Sequence, residues 1–400
     1  MPFFDLRNLL GGANADPWTN ATELAVAIAS EGGAESNLDP LVRLRFEELV
    51  RVAELHVAQA TGIVLPSNTT VTPVTRGTWT RRSIEAYRPL FERFGEALGS
   101  GTLSPPSSDE PAAANDPMTV MLGQMFSALG PALVSASAGS LIGHLGQRAL
   151  GQYDLPIPRG THDVLVVPLS IDAAAGQWGA PADDLRLWVL IHELTTHAVL
   201  SRPHVGKRVE SLLIDFAAAF RPNADAIADQ FASIESMTDL SQLQELAQSL
   251  SDPDLVLSMM RSPAHDLLIP QFEALIAAIL GFVSYTVDRI CGRLVTTHPE
   301  IMARFRQRWI DVTPADRFME RLLGLEITER TLNRGDRFIA GVVERAGDDG
   351  LNRLWADELD LPTAAEVDAP GLWLARIGLD PDRGGLSTDI PDDLSGLDDP

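Results

Sequence analysis

Apolar residues recur at three- and four-residue spacing along much of the chain, the mark of helices that bury one face. The pattern predicts helices over 20–35 and 39–60, the latter opened by Asp39-Pro40, and another from about Thr80 in TRGTWTRRSIEAYRPLFERFGEAL. Residues 103–117, LSPPSSDEPAAANDP, read as a linker or loop. MTVMLGQMFSALGPALVSASAGSLIGHLGQRALG follows as a helical hairpin whose Gly, Ala and Ser permit close packing. QYDLPIPRG (152–160) is a turn-rich connector. DVLVVPLSI (163–171) is the one strong strand signal, a short β-branched run. Asp183 or Asp184 is the expected cap of the next helix. Further helices are expected over 205–220, 223–235, 239–250, 265–293, 298–308, 314–325 and 329–347. His56 and His144 fall inside helical patterns and read as packing residues. The fold class is therefore mostly α with one small β-sheet, in a single large domain over 1–379. The Pro/Gly-rich acidic ending from about 380 holds too few apolar residues to fold and reads as a disordered tail.

Composition narrows the function classes. The 400 residues carry 31 basic and 55 acidic side chains, a formal net charge of −24. Such a surface repels phosphate backbones and anionic lipid, so neither nucleic acid nor membrane is expected as a partner. No other partner is indicated. LLIPQFEALIAAILGFVSYTV (267–287) is the most apolar window, but Pro270, Glu273, Ser284 and Tyr285 make it a buried helix rather than a membrane span. The single cysteine, Cys291, rules out an intrachain disulfide and a thiolate metal cluster. It reads as a small buried hydrophobe. With MPFFDLRNLLGG lacking the features of a secretory signal, the expected location is cytoplasmic.

The candidate chemistry lies in WVLIHELTTHAV (188–199). A zinc helix presents two imidazoles at i and i+4, about 40° apart around the axis, with a glutamate after the first histidine to polarise the metal-bound water. His192 and Glu193 fit the first two places. Thr196 stands where the second histidine belongs, and a hydroxyl is a poor zinc ligand beside imidazole. His197 is one residue too far, about 140° around a regular helix. A π-bulge would return it to the face of His192, and otherwise the two diverge. Phosphate-loop, nucleophile-elbow and dinucleotide motifs are absent.

LGQYDLPIPRG, the short β-like run and DDLRLWVLIHELTTHAV together resemble the zincin-like metallopeptidase family of actinobacteria and their relatives, a group also labelled as associated with coenzyme F420 biosynthesis. DPLVRLRFEELVRVAELHVAQATG is similar to that family's early helix. RLLGLEITERTLNRGDRFIAGVVERAGDDGLNRLWADELDLPTAAEVDAPGLWLAR resembles its C-terminal signature, including Gly335, Phe338, Gly350, Trp355 and Trp373. The resemblance spans nearly the whole chain and implies a zincin-like helical fold, with zinc hydrolase chemistry in intact members. By the same resemblance His192 is the first zinc histidine and Glu193 the general base. The second histidine corresponds to Thr196 by position or to His197 if a threonine was inserted. The family's later helix carries Leu-Glu-Gly-His, whose glutamate would be the third ligand. Here AAILGFVSYTVDRI places Leu280 at the glutamate and Phe282 at the histidine. Leucine cannot bind zinc, and a catalytic zinc normally has three protein ligands. The expectation is a degenerate site in which zinc is absent or weakly held and Glu193 is a vestige. The alternative is an active hydrolase built on His192, a bulge-shifted His197 and a third ligand from elsewhere. His204, His265, Glu273, Asp288 and His298 are candidates for that ligand by residue type.

Overall fold

A computed structural model describes residues 16–103, 134–220, 262–311 and 323–379, with Arg317, Glu320 and Arg321. The expected helices at 223–235 and 239–250, most of 103–117, residues 118–133 of the expected hairpin, half of 314–325, and the tail from 380 lie outside the described residues. In chain order the elements are α1 (Pro17–Ala29), α2 (Pro40–Thr61), β1 (Thr70–Pro73) and α3 (Arg76–Leu103). Next comes α4, described over 134–148. Then follow β2 (Asp163–Val166), α5 (Pro168–Trp178), α6 (Ala182–Leu200), α7 (Pro203–Ala218), α8 (Pro263–Leu294) and α9 (His298–Ile310). The chain closes with α10 (Glu329–Leu354), a 3₁₀ turn at Glu358–Asp360, α11 (Ala364–Asp368) and α12 (Pro370–Arg376). The protein is mostly α with one two-stranded sheet, as the periodicity indicates.

Local chemistry sets the element ends. Asp39 accepts the Leu41 N–H at 2.9 Å, Pro40 supplies the first helical φ, and Gly62 ends α2 in the left-handed region at φ 63°. The expected strand 163–171 is shorter than its apolar run, because Pro168 takes the first position of α5. Proline cannot donate to a ladder but suits a helix start. Nor do Asp183 and Asp184 cap α6: Pro181 holds the cap position and both aspartates sit in the first turn. There they face the positive end of the helix dipole, and Asp183 also pairs with Arg45 and Arg186.

β1 and β2 run parallel, with Thr70 opposite Asp163 and Pro73 opposite Val166. Gly151 adds an antiparallel bridge to Val166, the Val167 N–H donates to the Leu150 carbonyl, and the Leu165 N–H donates to the Gln152 side chain. These bonds fix the loop 150–153 beside the sheet.

α6 is the central helix. Every residue from Trp188 to Leu200 is buried, and it packs on α2, α5, α7 and α8. α8 is long and apolar enough to cross a bilayer, yet 61% of its most apolar window is buried inside the fold. It meets α10 at almost backbone contact: a Cβ on Gly335 would lie 2.0 Å from the Ala277 carbonyl oxygen, and one on Gly281 would lie 2.4 Å from the Gly335 backbone. Only glycine permits that approach, and it brings the Leu280 turn against α6.

Candidate functional site

α6 distributes its polar residues into separate surroundings. It is α-helical from Ala182 to Leu200 with no π turn, so of the two geometries open to His-Glu-x-x-x-His it takes the regular one. The Thr195 and Thr196 hydroxyls donate to the carbonyls of Ile191 and His192, at 2.7 and 2.9 Å, which ties them to their own helix.

Glu193 is 2% exposed. Its Oε2 accepts the backbone N–H groups of Gln152 at 2.7 Å and Tyr153 at 2.8 Å. Its Oε1 lies 3.3 Å from His192 Nδ1. Gly151 makes room for this carboxylate, since a Cβ there would sit 2.3 Å from Glu193 Cδ. The Gly151 carbonyl in turn accepts the Trp79 indole N–H at 2.8 Å. The residue placed as general base by family resemblance thus closes a hydrogen-bonded joint between α6 and the 151–153 loop.

His192 lies in an apolar crevice. Its ring stacks on Trp188 at 5.5 Å and meets Phe305 at 4.7 Å and Trp309 at 6.0 Å. Leu280, Val283, Val287, Met302 and Leu332 complete the apolar wall, and the Arg306–Asp336 ion pair stands at one side. The free volume is about 20 Å³, room for about one water. Leu280 and His192 therefore line the same crevice. Phe282 faces elsewhere, edge-on to Trp355 at 5.6 Å.

His197 does not line this crevice. Its Nδ1 is 2.7 Å from the Tyr153 hydroxyl, its Nε2 is 3.5 Å from Thr69 Oγ1, and the His162 ring meets it edge-on at 5.5 Å. Burial, helped by His162, lowers its pKa from 6.5 to about 4. Burial also raises the Tyr153 pKa, keeping its phenol a donor that suits a neutral imidazole.

Of the substitute ligands, His265, His298 and Asp288 have other partners. His265 completes the capping box of α8, its Nδ1 accepting the Ser262 N–H at 3.0 Å. His298 bridges the Trp188 indole N–H at 3.1 Å and Asp288 at 2.9 Å, fixing the ring on which His192 stacks. His204, at the start of α7, and Glu273, half-buried on α8, lie outside the crevice lining. Among the described residues no group of three or more His, Cys, Asp or Glu is arranged to hold a metal. A catalytic zinc is therefore a poor fit to the donors here: one imidazole, a carboxylate spent on two amides, and a leucine in the same crevice.

The profile of the family described as zincin-like metallopeptidase matches residues 17–374. The chain belongs to that family. Among solved structures, it is similar to a protein from Chloroflexus aurantiacus described as "a putative hydrolase with a novel fold", with a TM-score of 0.60 and 21% identity. The likeness covers 90% of this zincin-like chain and 98% of the other, and at that identity it speaks for the fold alone. No curated protein matches the chain. Sequence reasoning missed the Gly151–Tyr153 cradle and the Trp188–His298–Asp288 chain, although LGQYD was visible as a motif without a role.

Proposed function

We propose that this chain is a zincin-like protein whose inherited metal site has been converted into structure, so that it works as a non-catalytic binding protein. The observation that carries the reading is the pairing of His192 with Leu280. The two residues line one crevice, and α8 offers only the hydrocarbon of Leu280 where the family resemblance expects a ligand. Two further features support it. Glu193 holds two buried backbone amides, an arrangement that opposes the free carboxylate a general base needs. His197 is committed to Tyr153 on another side of the helix. In this reading zinc is absent or weakly held, Glu193 is a vestigial base, Thr196, Leu280 and Phe282 are degenerate family positions, and a single buried thiol suits a reducing cytoplasm.

The test is metal content. The chain is purified in the presence of zinc, dialysed without chelator and analysed for metal and protein together. The reading expects far less than one zinc per chain. Near-stoichiometric, tightly held zinc would overturn it in favour of an active hydrolase.

A further inference from the structure

Helix α2 carries an apolar stripe on its outer face as well as its inner one. Phe46, Leu49, Ala53 and Val57 are buried against the core. On the opposite side Leu41 is 70% exposed, Leu44 55%, Val52 40% and Leu55 56%. At about 100° per residue these four lie within about 40° of Glu48, two on each side of it along the axis. The spacing is palindromic: Leu41 and Leu55 are equidistant from Glu48, as are Leu44 and Val52. The flanking charges follow the same symmetry, with Arg45 and Arg51 three residues before and after Glu48, all three exposed.

We infer that this face of α2 is a homodimer interface in which two copies of α2 pack antiparallel across a two-fold axis at Glu48. A two-fold contact requires a self-complementary surface, in which residue i meets j and j meets i. The palindrome supplies that condition. Leu41 of each copy lies over Leu55 of the other, and Leu44 over Val52, along about 21 Å of helix. A parallel arrangement would not use the symmetry. Charge agrees with the same register. Arg45 already holds Glu48 at 2.7 Å. Arg51 has no ion pair among the described residues, and in the dimer it comes diagonal to the Glu48 of the other copy. Four arginines then surround two glutamates, which relieves the contact of like charges at the axis.

The experiment uses the full chain. Sedimentation equilibrium at micromolar concentration is expected to give twice the monomer mass, and Leu44→Glu with Leu55→Glu to give the monomer mass with an unchanged circular dichroism spectrum. The register is read separately by Glu48→Cys, which places two thiols at the axis. Cys291 is buried and does not compete. Mild oxidation is expected to cross-link Glu48→Cys at least tenfold faster than Leu41→Cys, whose like residues lie far apart in the antiparallel pair. A monomer at all concentrations, including one whose stripe is covered by another part of the same chain, overturns the proposal. So does faster cross-linking of Leu41→Cys than of Glu48→Cys.

Discussion

If Glu193 is a structural joint, removing it should cost stability rather than only activity. Its Oε2 accepts two amides at 2.7 and 2.8 Å, from Gln152 and Tyr153, which are 1% and 2% exposed. Water cannot replace the carboxylate there without entering the core. Each stranded buried N–H costs about 1–3 kcal/mol. Glu193→Ala also relieves the cost of burying a charged group, which offsets part of the loss. The expected net destabilisation is about 2–4 kcal/mol. Glu193→Gln keeps a carbonyl oxygen able to accept both amides but loses charge assistance, and should cost about 1–2 kcal/mol. Gly151→Ala attacks the same joint from the other side, because its Cβ would fall 2.3 Å from Glu193 Cδ. In Glu193→Ala that obstruction is gone, so the double variant should be little worse than Glu193→Ala alone, giving a coupling of about 1–3 kcal/mol. Urea unfolding followed by tryptophan fluorescence measures the parent and all four variants. A Glu193→Ala variant within 1 kcal/mol of the parent would refute the reasoning, as would strict additivity with Gly151→Ala.

Two further predictions concern the helices around the site. His197 is held neutral by burial, with its pKa lowered from 6.5 to about 4. The unfolded chain therefore takes up a proton first as pH falls, so the contribution is whole above 6.5, declines through this window and is lost below 4, amounting to about 3 kcal/mol. His197→Gln should flatten the stability profile between those values, and a profile as steep as the parent's would contradict the assignment. Gly335→Ala forces a Cβ to within 2.0 Å of the Ala277 carbonyl and should cost more than about 3 kcal/mol by unfolding midpoint. The control Gly176→Ala, on α5 with nothing within 4 Å of its Cβ, should stabilise by about 0.5–1 kcal/mol.

What could be read from the sequence was local. Asp39-Pro40 and three-four spacing locate α2 because cap and periodicity act within a few residues of each other. β1 escaped notice because four residues, TVTP, carry too little periodicity and owe their extended form to pairing with β2 nearly a hundred positions away. Pro168 was legible as a helix start, yet the β-branched run before it outweighed that signal. The Thr363–Glu366 capping box of α11 and the Pro370 start of α12 were also available, though those helices are only 5 and 7 residues long. At the site, helical geometry alone separates His192 from His197. That Leu280 would line one crevice with His192 could be expected only through family resemblance, since nothing within α8 marks that turn. The use of Glu193 as an acceptor for a loop some forty residues earlier is tertiary, and the carboxylate looks the same on paper in either role.

The central claim is that the fold keeps the place of a metal site and lacks its ligands. Zinc affinity, measured by competition with a chromophoric chelator, tests this in the parent chain and in Thr196→His combined with Leu280→Glu. Restoring an imidazole at i+4 and a carboxylate on α8 should raise affinity at least 100-fold, with binding near one zinc per chain in the double variant and well below that in the parent. A parent that already binds one zinc tightly, or a double variant that gains nothing, would contradict the account.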